Sequence, residues 1–162
     1  MFGCIVYFEI LIEGVNMKKI LLILGIVFFN TATVAEISGE IGLGYNYGGY
    51  AGYVTNVDVN SNTALFAGTG VVPGSLGFVG GAKFWLNDNT RLTMNYGTNC
   101  IVSGTDNSYE GLNFGVGYAF GGRKEGVSID LMILDWTECN KHATGITDTG
   151  VLLSIGYRLK AF

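Results

Sequence analysis

The chain has 162 residues and a formal net charge of −4, a length typical of one domain. Hydrophobic residues make up 49% of it and charged residues only 14%, whereas ordinary soluble domains are about 25% charged. This balance excludes a disordered chain, and the lack of a basic tract argues against nucleic acid as a partner, because phosphate binding needs clustered cations. The 26 glycines, single proline and 13% aromatic residues exclude collagen and indicate a glycine-rich β protein.

Residues 17–35 carry the pattern of a secretory signal peptide. A Met-Lys-Lys start is followed by a ten-residue apolar run and a small, polar stretch that ends in Ala35. A membrane-spanning helix needs about 20 apolar residues, so we expect a signal peptide that is cleaved after Ala35 rather than an anchor. Residues 1–16 do not fit the start of such a peptide. We expect them to be an upstream start artefact, with translation beginning at Met17.

Residues 36–162 carry strand patterns throughout and are predicted to form one β-barrel domain. Apolar residues alternate with small or polar ones, as they do from Ile37 to Tyr47, and a period of two is typical of strands with two different faces. Longer polar connections at 98–109 and 138–148 alternate with short turns, as in an up-and-down meander. The predicted strands are 37–47, 50–59, 63–71, 75–86, 90–97, 110–120, 126–137 and 149–161.

The two faces of these strands favour a transmembrane barrel over a soluble one. Large apolar residues on one face oppose mainly Gly, Ser, Asn and Ala on the other, whereas a soluble exterior is rich in Lys and Glu. An eight-stranded barrel is just wide enough inside for side chains, which suits small inward residues. The predicted fold class is therefore all-β: an eight-stranded antiparallel up-and-down transmembrane β-barrel.

Aromatic residues gather at the strand ends, as they do in the girdles at membrane interfaces. We predict two girdles, one at the loop end of the barrel and one at the turn end. The loop-end residues are Tyr45, Tyr47, Tyr50, Tyr53 and Trp136, and the turn-end residues are Phe84, Trp85, Tyr118, Phe120, Tyr157 and Phe162.

Charged residues on the polar faces are few and fall near the turn end of the predicted strands. Barrel closure makes the first and last strands neighbours, and an unpaired buried charge is strongly penalised. We therefore expect these residues to meet in a polar cluster that closes the lumen, with a proton path, an ion path or a gate as the alternative. The residues are Glu40, Lys83, Arg91, Asp130 and Arg158.

The signal peptide, the eight alternating segments and the final Gly-Tyr-Arg-Leu-Lys-Ala-Phe sequence resemble the small outer-membrane β-barrels of the opacity, Ail/Lom and OmpA transmembrane-domain types. The resemblance implies a place in the Gram-negative outer membrane, in contact with its lipid. It also implies that the barrel-assembly machinery recognises the terminal aromatic residue, here Phe162. Proteins of this kind serve as envelope structural proteins, adhesins, serum-resistance factors or, occasionally, lipid-modifying enzymes.

Cys100 and Cys139 fall in the two longer connections, 98–109 and 138–148. The oxidising environment outside the cytoplasm permits disulfides. These two residues can therefore form a bridge, and the alternative is that both remain free thiols. A bridge requires a Cα separation of about 5.5 Å. Exposed loops on a rigid scaffold usually carry recognition, and we expect any host or surface ligand to bind through these two connections.

No pattern indicates catalysis, a metal or a cofactor. His142, the only histidine, forms Cys-x-x-His with Cys139, but structural zinc needs four ligands and catalytic zinc three. Its neighbours do not match the His/Ser or His/Asp/Ser sets of outer-membrane deacylases and palmitoyltransferases, and the Gly-x-Gly pairs at Gly42 and Gly115 lack the rest of a dinucleotide site. We expect a non-enzymatic protein with a structural or surface-interaction role. A small porin or transport channel, a lipid-modifying enzyme and a soluble secreted barrel are the alternatives.

Overall fold

The computed structural model describes residues 36–102, 107–142 and 148–159. Eight antiparallel strands form a closed barrel in which each strand pairs with the next and the last pairs with the first. This confirms the predicted all-β, eight-stranded up-and-down fold. The strands are β1 Ile37–Leu43, β2 Ala51–Asn60, β3 Thr63–Val72, β4 Ser75–Trp85, β5 Thr90–Val102, β6 Asn107–Ala119, β7 Gly126–Asp135 and β8 Thr149–Arg158.

Some predicted features lie outside the described residues. They are the upstream residues 1–16, the signal peptide 17–35 and the terminal Phe162. Within the described ranges, no helix is long and apolar enough to cross a bilayer.

Tight turns and small residues define the two ends of the barrel. At the turn end, the side chain of Asn87 accepts hydrogen bonds from the backbone N–H groups of Asn89 and Thr90 at 2.9 and 2.8 Å, which is a local turn geometry that Asn favours. At the loop end, Pro73 and a left-handed Gly74 (φ 75°) connect β3 to β4, as expected for a tight Pro-Gly turn. The short connections therefore follow directly from local sequence.

The strands present opposite surfaces to the inside and the outside. On β6, Phe114 and Tyr118 point outward and each is 48% exposed, whereas Asn113 and Ala119 point inward and are buried. The same alternation holds on β7, where Leu131 is 50% exposed and both of its neighbours are buried. The apolar residues are thus mainly outside the barrel, and polar residues lie inside.

β1 is shorter than predicted, and Tyr47, which follows it, does not form part of a girdle. The strand ends at Leu43, the chain turns at Gly44, which has a positive φ of 104°, and a 3-10 helix over Tyr45–Tyr47 lies inside the barrel. Tyr47 is completely buried, so the outward placement predicted for it was wrong. The alternation continues through Tyr47 in the sequence and gives no sign of this inward turn.

A row of glycines on the inner wall makes room for the inward segment. A Cβ atom at Gly52 would collide with the carbonyl oxygen of Tyr47, and one at Gly77 would collide with that of Gly48. The missing side chains therefore explain how backbone can fold into so narrow a lumen. In register order the row is Gly156, Gly42, Gly52, Gly70 and Gly77, from β8 through β1 to β4.

The two connections predicted as long loops are more regular than expected. Much of 98–109 is strand, because β5 runs to Val102 and β6 starts at Asn107, with a bulge between Thr98 and Cys100. In the second connection, a short helix, α1, spans Thr137–His142. The bulge interrupts the period of two at this point, which explains why the sequence pattern ended the strand early.

Candidate functional site

Glu40 is the centre of a buried polar network in the lumen. Its Oε1 accepts hydrogen bonds from the hydroxyls of Tyr47 at 2.6 Å and Ser128 at 3.1 Å. Its Oε2 accepts one from Lys83 Nζ at 2.7 Å, and Lys83 also donates to Asn56 Oδ1 at 2.9 Å. Both charged side chains are at most 1% exposed. The cost of burying this pair is therefore offset by several hydrogen bonds on each side, as buried charges require.

Arg91 extends the network from Glu40 to Asp130. Its Nε and Nη2 atoms donate to the two carboxylate oxygens of Asp130 at 3.0 and 2.7 Å, a bidentate geometry specific to arginine. Nη2 is also 3.3 Å from Glu40 Oε1, and Arg158 Nη2 lies 3.7 Å from Glu40 Oε2. The five charged residues singled out in the sequence, including Lys83, thus lie in one cluster of three cations and two carboxylates.

Trp85 forms the base of this cluster at the turn end. The indole is buried, and the guanidinium carbons of Arg91, Arg123 and Arg158 lie 5.3 to 5.4 Å from its ring centre, a cation–π arrangement. Arg158 Nη1 donates to the Arg123 carbonyl at 2.5 Å, and Arg123 donates to the carbonyl of Ser61. The predicted girdle position of Trp85 was wrong.

Asparagine side chains continue the polar network toward the loop end. Asn95 donates to Asn46 at 2.8 Å, and Asn113 donates to Asn95 at 2.8 Å. Asn99 donates to Asn113 at 3.1 Å, and its backbone carbonyl accepts the indole N–H of Trp136 at 2.9 Å. This ladder was not among the sequence-based predictions, although Asn95 and Asn113 fall on inward positions of their strands.

Apolar side chains fill the spaces beside these polar groups. Tyr47, Val54, Phe66 and Val79 form one buried cluster, and Met132 is buried on β7. Side chains therefore occupy the lumen at the level of the charged cluster and above it.

The two cysteines of the longer connections are joined in a disulfide. Cys100 follows the β5 bulge, Cys139 lies in α1, and their Cα atoms are 6.1 Å apart. His142, at the end of α1, stacks on Tyr109 with ring centres 4.7 Å apart. Of the two alternatives left open by the sequence, the structure has the bridge, and it fixes α1 to the end of β5.

Among the described residues, no group of three His, Cys, Asp or Glu side chains is placed to hold a metal ion. Comparison of the chain with protein-family models, with curated proteins and with solved structures finds no match. The fold and the site define a class of structure: a closed antiparallel β-barrel with an apolar exterior and a lumen occupied by a charged cluster and an asparagine ladder.

Proposed function

We propose that this chain is a small β-barrel protein of the Gram-negative outer membrane. The observation that carries the proposal is the apolar exterior of the barrel, where residues such as Ile41, Phe114 and Leu131 are 48 to 50% exposed. The largest apolar patch on a typical soluble monomer is only about 300–600 Å². A barrel with an apolar outer band and a polar interior has the distribution that a bilayer requires.

The sequence supports export and assembly independently of the barrel surface. The signal-peptide pattern of residues 17–35 directs the chain out of the cytoplasm. By resemblance to the opacity, Ail/Lom and OmpA transmembrane-domain types, Phe162 is the residue that the barrel-assembly machinery recognises. Lipid of the outer membrane is then the first partner of the folded protein.

We assign the protein a structural or surface-interaction role, as an adhesin or a contributor to envelope integrity. The occupied lumen favours this role over transport, because the Glu40 and Arg91 network would have to break before a hydrated solute could pass. We assign the binding of a host or surface ligand to the connections 98–109 and 138–148. The disulfide makes the base of these loops rigid, which suits a recognition surface.

Fractionation of cells that express the full chain tests the location. We expect the protein in the outer-membrane fraction after a high-salt wash, with release only by detergent. Recovery in the soluble periplasmic fraction would refute the membrane assignment.

Conductance in planar bilayers tests the closed lumen. We expect no stable channel from the folded protein, because the Glu40 cluster occupies the lumen. A large, steady conductance would show an open pore and would favour the porin alternative.

A further inference from the structure

The barrel wall has a gap at its loop end, between β8 and the end of β1. β8 pairs with β7 over Thr149–Arg158 but with β1 only over Ile155–Arg158. The reason is that β1 stops at Leu43 and the chain turns into the lumen. In the part of the chain that the structure describes, Gly150–Leu153 therefore have no strand beside them on the β1 side.

A recess of about 380 Å³ adjoins this gap. Leu152, which is half-buried and inward-facing, lines it from β8, and Tyr45 lines it from the segment that follows β1. The lining contains no charged side chain. The remaining lining residues are Cys100, Ile101, Trp136 and Cys139.

The walls of the recess are held in place by a hydrogen bond, a close ring contact and a disulfide. The indole N–H of Trp136 donates to the Asn99 carbonyl, and its ring lies so close to Gly150 that a Cβ atom there would collide with it. The Cys100–Cys139 disulfide fixes the opposite side. The recess is thus preformed, and the indole N–H in its wall is already hydrogen-bonded, so the recess suits a mainly apolar occupant.

The apolar exterior reaches the edge of the gap. Val151 and Leu153, on either side of Leu152, point outward and are 62% and 55% exposed, and Leu43 at the end of β1 is 59% exposed. A lipid that contacts this band therefore has its acyl chains next to the recess. We propose that the recess holds one acyl chain of a bilayer lipid, which enters through the gap between Leu43 and Leu153. This inference rests on the proposed membrane location.

Photolabelling with a lipid of known chemistry tests the inference. The full chain is folded into phosphatidylcholine vesicles that contain a phosphatidylcholine with a diazirine in its acyl chain, irradiated, and mapped by peptide mass spectrometry. We expect label on the inward Leu152 and on Ile101, in addition to the outward Val151 and Leu153.

Neighbouring residues on β8 supply matched variants. Leu152→Trp fills the recess and is expected to lower the label on Ile101 severalfold while the label on Val151 stays. Leu153→Trp adds the same bulk on the outside and should leave the label on Ile101 unchanged. If Leu152→Trp does not fold, Ile101→Trp fills the recess from β5, and the label on Leu152 becomes the readout.

The possible results separate the two proposals. Label on Val151 and Leu153 with none on Leu152 or Ile101 would overturn the acyl-chain site but leave the membrane barrel standing. Equal label on Ile101 in both tryptophan variants would also overturn it. An absence of label on every outward residue would contradict the membrane location itself.

Discussion

Replacement of Glu40 by glutamine is expected to cause a large loss of stability. Glu40 is one of two carboxylates that face three buried cations, and it lies within 3.7 Å of Lys83, Arg91 and Arg158. In Glu40→Gln, Asp130 is the only carboxylate among the described residues that remains within ion-pair distance of these cations. Removal of one partner from a buried ion pair costs about 3–5 kcal/mol, and we expect a decrease of this size in the free energy of unfolding.

The measurement is reversible denaturant unfolding of the purified protein in vesicles, followed by tryptophan fluorescence. The double variant Glu40→Gln/Lys83→Met is the control, because it removes one cation together with the carboxylate and restores the original excess of one positive charge. We expect it to recover part of the lost stability. A loss below about 1 kcal/mol in Glu40→Gln, the net value of one ordinary hydrogen bond, would refute the charge-balance argument, and so would additive effects of the two substitutions.

Three further substitutions test other parts of the structure. Gly52→Ala pushes a Cβ into the inward 3-10 segment and should lower the free energy of unfolding by about 1–3 kcal/mol. Gly80→Ala is the control, because the nearest atom to its new Cβ is 3.8 Å away, and it should be tolerated. Equal effects of the two substitutions would contradict the claim that the glycine row makes room for the inward segment. Cys100→Ser/Cys139→Ser opens a loop with a sequence separation of 39 and should lower stability by about 4 kcal/mol on the loop-entropy model; an unchanged denaturation midpoint would show that the bridge contributes little. Leu131→Arg places a charge on the outer face and should cost about 2–4 kcal/mol in a bilayer, so a neutral effect on folding into vesicles would argue against a lipid-facing surface.

The sequence predicts the barrel because a single signal, the period of two, recurs along residues 36–162, although Thr, Asn and Gly blur it in the second and third strands. It also brings together the five charged residues, since alternation gives the face of each one and barrel closure makes Glu40 and Arg158 neighbours. Their pairing then follows from the cost of isolated buried charges. No similar argument identifies the partners of each atom, which depend on strand register and side-chain reach.

Tyr47 and Trp85 differ from their predicted girdle positions for different reasons. Tyr47 leaves the strand because the chain turns at Gly44, and the space for it comes from glycines on other strands. Trp85 is a different case, since the alternation that places Lys83 inside also places Trp85 inside. Its place at the strand end suggests a girdle, but the period of two decides where its side chain lies.

The central claim is that the chain folds as a membrane-spanning barrel. The most direct test is electrophoresis of the detergent-extracted membrane fraction in SDS, with and without heating. A barrel with closed hydrogen bonding and a buried Glu40 cluster should resist SDS at low temperature, so we expect the unheated protein to migrate differently from the heated protein. Identical migration of both samples, or absence of the protein from the membrane fraction, would contradict the claim.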